Sequence, residues 1–154
     1  MGISAKNSLA GAALAIGAPL ALWGLMGQQN DETAAPSDLT YTIEPVRALE
    51  DWATGLGAAG LVMTVVSALH LVRATRSGAL DPRRWFVLLP LTAAGVVVAG
   101  SHRVLTAGTA DANIGAGLAM FFGTPAAAGL LLWALIQTVR LRARSPRRTG
   151  PATC

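Results

Sequence analysis

The 154-residue chain is 53% apolar and only 13% charged, with a net charge of +4; a soluble domain carries roughly 25% charged residues. That deficit excludes a surface wholly turned to water, and the lack of apolar/polar alternation excludes a membrane β-barrel. A single cysteine, Cys154, excludes an internal disulfide and a multi-cysteine metal site.

Four apolar blocks follow one another, at about residues 9–27, 53–72, 85–105 and 117–139. Each approaches the roughly 20 residues a helix needs to cross a hydrocarbon core. The expected class is all-α: a polytopic membrane protein built as a four-transmembrane-helix bundle over residues 9–139. Residues 1–8 form a short N-terminal segment and 140–154 a basic tail.

Helix one follows Lys6 and repeats small residues at alternating steps of three and four: Ala10, Ala13, Gly17, Leu20, Gly24 and Gly27. Lipid gives helices no hydrophobic reason to associate, so small residues that let backbones approach matter most. The apolar run is long for a signal peptide, and the loose cleavage box TAA at 33–35 lies far beyond it. Helix one is therefore expected to be retained. The segment 28–52 forms the outer loop. Its first part, QQNDETAAPSD, is polar and reads as loosely ordered. Residues 41–52 read as an outward helical extension of helix two, with Thr42 as N-cap and Pro45 in the first turn.

Helix two opens with GLGAAG at 55–60, which matches the dinucleotide fingerprint GxGxxG. That fingerprint works only where a strand turns into a helix, so that bare backbone reaches a pyrophosphate. Here EDWAT precedes it and a membrane span, LVMTVVSALHLV, follows. Gly57 and Gly60 instead fall on a stripe with Ala53, Thr64, Ser67 and Leu71, a helix-packing face. RATRSGALDPRRW at 73–85 is a tight turn, with Asp81-Pro82 capping helix three.

Helix three continues the pattern with Leu88, Thr92, Gly95, Ala99 and His102. Helix four offers Gly117, Met120, Thr124, Ala127 or Ala128, and Leu131. Prolines 19, 90 and 125 interrupt three spans and are expected to bend them.

Basic residues cluster at Lys6, at 73–84 and at 140–148, whereas seven of the eight carboxylates lie in the other two connections or at their edges. The positive-inside rule then places both termini in the cytoplasm and 28–52 outside. Trp23, Trp52, Trp85 and Trp133 fall near span ends, where such rings favour the headgroup level. Topology accounts for the arginines, so no nucleic-acid partner is expected. Eleven arginines against one lysine suggest a G+C-rich, bacterial origin.

No carboxylate falls inside a span, which argues against a proton- or sodium-coupled transporter. His70 and His102 lie in opposite leaflets, because residues 85–102 rise about 25 Å as a helix. They cannot share a metal or a haem, and neither metal nor cofactor is expected. One polar cluster stands out on the outer side: His102, Arg103, Glu50, Asp51 and Asp111. Arg103 pairing with Glu50 or Asp51 would tie the loop onto helix three; alternatively, the cluster forms a ligand pocket.

Three functions fit this reading. The favoured one is a non-enzymatic accessory or assembly component that packs with partner membrane proteins or with itself in the lipid bilayer. A small oligomeric transporter or channel is the first alternative, with Thr64, Ser67, Thr92 and Thr124 as a thin polar lining. A membrane-embedded enzyme using the outer cluster on a lipid-like substrate is the second.

Overall fold

The computed structural model describes residues 3–31, 35, 39–109 and 113–144. It is mostly helical, and four helices are long and apolar enough to cross a membrane. In chain order the elements are α1 (Ile3–Met26), β1 (Thr40–Tyr41), α2 (Arg47–Glu50), α3 (Ala53–Arg76), α4 (Trp85–Leu105), β2 (Gly108–Thr109), α5 (Ile114–Leu118) and α6 (Thr124–Arg144). A 3-10 turn, Pro82–Arg84, leads into α4, and a π-helical segment, Ala119–Gly123, joins α5 to α6.

Local chemistry sets the boundaries. Helix α1 stops at Met26 because Gly27 takes φ +68°, the left-handed geometry that ends a helix. Gly27 therefore terminates the helix rather than extending its packing stripe. The Asp81 side chain accepts from the Arg83 backbone N–H at 2.9 Å, and Pro82 fills the first position, as the turn sequence implies. The π segment precedes Pro125, whose missing N–H leaves the α-register acceptor, the Phe121 carbonyl, without its usual donor.

The long helices pack in the spatial order α3–α1–α4–α6. This is an open row: α3 rests mainly on α1 and α6 mainly on α4, so no substantial contact closes a ring. The row arises because α1 carries small residues on two flanks and so accepts two neighbours. On one flank, Gly17 and Gly24 meet Gly60 and Gly57 of α3. A Cβ on Gly57 would lie 2.7 Å from the Gly24 carbonyl carbon, and one on Gly60 would lie 2.7 Å from the Ala21 nitrogen. Rigid backbone occupies that space, so the two helices approach this closely only with glycine at these positions. On the other flank, Gly11 faces Leu88, and Gly95 of α4 receives the Pro19 ring.

GLGAAG is thus the α3 half of a helix–helix contact. Its first glycine, Gly55, faces open space and contributes nothing to that contact. On the α4–α6 seam, Gly123 approaches Ser101, and Ala116, Ala127 and Ala134 are buried. Of the expected helix-four stripe, Ala127 is buried, whereas Gly117 and Thr124 give way to Ala116 and Gly123, one residue earlier and about 100° round the helix. Gly117 has nothing near its missing side chain, and Leu131 is exposed. Small residues are dense around this helix, so several stripes look alike until a neighbour selects one.

At the arginine-rich end, Leu14, Leu71, Ala74 and Leu80 form a buried cluster against which Trp85 packs. The Trp85 indole N–H donates to the Thr75 hydroxyl at 2.9 Å. The buried Asn7 side chain donates to the Ala79 carbonyl at 3.2 Å and shares a 3.1 Å bond with His70. His70 is thereby more than an interfacial ring: it pins α3 to the start of α1.

At the acidic end, β1 and β2 pair antiparallel, with Thr40 opposite Thr109. The Ile43 N–H donates to the Leu105 carbonyl at 3.1 Å, and the Gly108 N–H to the Asn30 side chain at 2.9 Å. Residues 41–52 are consequently ordered, but they are not the expected continuous helix. Glu44 precedes Pro45 and is pushed toward extended geometry, Val46 is extended, and helix resumes only at Arg47 for one turn. The short strands also qualify the all-α expectation, although they do not alter the architecture. Most of the loosely ordered stretch of 28–38, the TAA box, Asp111 and the tail beyond residue 144 lie wholly or largely outside the described residues.

Candidate functional site

The polar centre of the molecule is Arg103, in the last turn of α4. It is fully buried at 0% exposure, and only a specific set of partners can make that tolerable. Its Nε–H donates to the Trp23 carbonyl at 2.6 Å. That carbonyl belongs to the last turn of α1, whose acceptors have no intrahelical partner. The guanidinium therefore caps α1 and meets the negative end of its dipole. A second α1 carbonyl, that of Met26, accepts from the Gln29 side chain at 2.8 Å.

The Nη1 group of Arg103 donates to both oxygens of Glu50, at 2.8 and 2.7 Å. The guanidinium carbon stands 4.2 Å from the centroid of the Trp23 ring, a cation–π stack. The Nη2 group is buried without a partner among the described residues. Three segments that are distant in sequence (the end of α1, the one-turn helix α2 and the end of α4) thus converge on one side chain. Behind it, the Thr106 hydroxyl donates to the His102 carbonyl at 2.9 Å and helps close the helix end.

Trp23 is the residue whose role the sequence concealed. It is 9% exposed, buried in this clamp. Its indole N–H donates to His102 Nδ1 at 3.2 Å, and the two rings meet edge to face. By contrast, Trp52 and Trp133 are exposed. The signal available in the sequence was depth: Trp23 and Arg103 lie at the same end of the first and third apolar helices.

Of the proposed cluster, the structure brings together Arg103, Glu50 and His102, with Trp23 as the linking group. Asp51 is exposed and is not the residue paired with Arg103, because the turn after α2 carries it away. Asp111 lies outside the described residues. Asn113 serves as the N-cap of α5, accepting from the Ala116 N–H at 2.8 Å. Beside His102, a cavity of about 450 Å³ opens between α1 and α4. Its walls are apolar (Ile16, Pro19, Leu20, Val98), with the His102 and Trp23 rings at the rim. The guanidinium is engaged in the clamp and is not among its lining groups.

Of the hydroxyls considered as a channel lining, one is used within its own helix and another is buried without a partner among the described residues, that of Thr92. The Thr64 hydroxyl donates to its own helix at the Gly60 carbonyl, 2.7 Å away, and Ser67 is buried. No group of three or more His, Cys, Asp or Glu residues able to hold a metal occurs among the described residues. Compared with known protein families, with curated proteins and with solved structures, the chain matches none.

Proposed function

We propose that this chain is an integral membrane protein with both termini cytoplasmic, and that it acts as a non-enzymatic component packing laterally against partner membrane helices. The observation that carries this reading is the open row of helices. Helix α6 is covered by α4 on one flank only, and Phe121, Phe122, Leu132, Trp133 and Leu135 stand exposed. Apolar surface of that extent fits a lipid or protein neighbour and not water. Gly129, with open space around it, lets a neighbouring helix approach closely. The basic residues at one end and the acidic residues at the other support the orientation. The clamp around Arg103 supports a structural role for the polar centre, since its charge is directed at Glu50 and the end of α1.

The test is the mass of the particle extracted with its surrounding lipid, for wild type and for Gly129→Trp. A stoichiometric larger assembly that Gly129→Trp dissolves, while Val62→Trp on the exposed face of α3 leaves it intact, is the expected result. A lone chain in every extract would remove the packing role. For orientation, single cysteines at Trp52 and Ser77, in a chain whose Cys154 is serine, should react with an impermeant thiol reagent from opposite sides of the membrane.

A further inference from the structure

We infer that the groove between α1, α4 and α6 at the arginine-rich end is a binding site for one anionic phospholipid. The groove has a volume of about 460 Å³. Its walls are apolar along most of their length, with Leu80, Leu88 and Leu91 among them and Ala12 as an exposed small residue on α1. Asn7, Ser8 and Thr138 add polar groups to the lining, and its two charged side chains are Arg84 at the start of α4 and Arg142 near the end of α6. Both are exposed, and neither has a carboxylate partner among the described residues.

The arrangement matches the two halves of a lipid. Acyl chains lie against the leucines along the helices, while the phosphodiester meets two guanidiniums that present planar donor forks. The open row creates this site. Because α1 and α6 both contact α4 without substantial contact to one another, a slot remains between them that a closed bundle would fill. Arg84 and Arg142 come from different helices, so one anion bridges α4 to α6 at the end of their seam. The pair also differs from general positive-inside charge, since Arg76 carries the same charge at the same end and does not line the groove.

This site rests on the membrane reading above, and the two fail differently. Solubility of the chain as a monodisperse species without detergent would sink the membrane reading. The site is tested on the detergent-solubilised, delipidated full chain by native mass spectrometry, with equimolar dioleoyl phosphatidylglycerol and dioleoyl phosphatidylcholine competing. One phosphatidylglycerol should be retained in preference. The double variant Arg84→Gln/Arg142→Gln should reduce that preference roughly tenfold or more, as two basic groups near an anionic headgroup imply. Arg76→Gln should leave it unchanged. Ala12→Phe, which fills the slot while keeping both arginines, should lower retention of both lipids. Equal retention of the two lipids by wild type overturns the proposal without recourse to any variant. So does an Arg76→Gln loss equal to that of the double variant, which would indicate unlocalised charge. Displacement of the lipid by millimolar inorganic phosphate would show an anion site without an acyl slot, and overturns it as well.

Discussion

Both carboxylate oxygens of Glu50 sit on a single nitrogen of Arg103, at 2.7 and 2.8 Å, while the neighbouring Nε holds the Trp23 carbonyl. The loop helix α2 is thereby fastened to two long helices through a residue that has no exposure of its own. Removing one partner of such a pair leaves an uncompensated buried charge. Glu50→Ala should therefore destabilise the fold by about 3–5 kcal/mol, read as a lower unfolding midpoint in detergent. Asp51→Asn should leave the midpoint unchanged, since Asp51 is exposed and is not the residue that pairs with Arg103. Arg103→Lys should not restore stability, because an ammonium cannot satisfy Glu50, the Trp23 carbonyl and the indole face together. A Glu50→Ala midpoint equal to wild type would remove the clamp from the account of stability.

The glycines should rank by what surrounds them. Gly57→Leu meets the α1 backbone and should cost more than the roughly 1–3 kcal/mol of ordinary overpacking. Gly123→Ala meets the Ser101 hydroxyl, which can rotate away, so its cost should be smaller. Gly129→Ala and Gly117→Ala meet nothing and should gain up to about 1 kcal/mol of helix propensity. Thermal unfolding of the four variants checks the order. Equal effects at Gly57 and Gly129 would show that the α1–α3 seam is not as described.

Trp23→Phe keeps a ring beneath Arg103 but loses the donor to His102 Nδ1. The expected cost is about 0.5–1.5 kcal/mol, the net worth of one hydrogen bond. His102→Ala should cost a similar amount, and the double variant should cost less than the sum, because the two residues share one bond. Additive losses in this cycle would mean that the indole and the imidazole do not interact.

Thr92 has a buried hydroxyl with no partner among the described residues. Replacing it with Val keeps the shape and removes the unsatisfied oxygen, so Thr92→Val should be neutral or stabilising. The same variant examines the channel alternative. If solute flux in reconstituted vesicles exists and falls with Thr92→Val while stability holds, that hydroxyl lines a path.

Some of this was legible from the residues in isolation. The four long helices appear where apolar runs reach membrane length, and α4 begins where the sequence suggests, at Trp85, whereas α3 starts at Ala53 without the expected extension through 41–52. The packing role of Gly17, Gly24, Gly57, Gly60 and Gly95 was also readable, since small residues at three- and four-residue spacing admit few other uses in an apolar helix. The face of helix four was not, because Ala116, Gly117, Gly123, Thr124 and Ala127 offer adjacent stripes of equal quality.

Residue order along the chain is enough to define the rods and their ends. Chain length, hydropathy, Gly27, Asp81 and Pro82 act locally, through backbone geometry and hydrogen bonds a few residues apart. Packing between distant segments settles which rods touch, that Glu50 rather than Asp51 holds Arg103, and that Trp23 lies beneath a guanidinium. Those outcomes depend on side chains roughly 50 to 80 positions apart meeting at one point. A buried charge settles such a contest by taking the arrangement that satisfies most of its donors, and that arrangement exists only once the helices have packed.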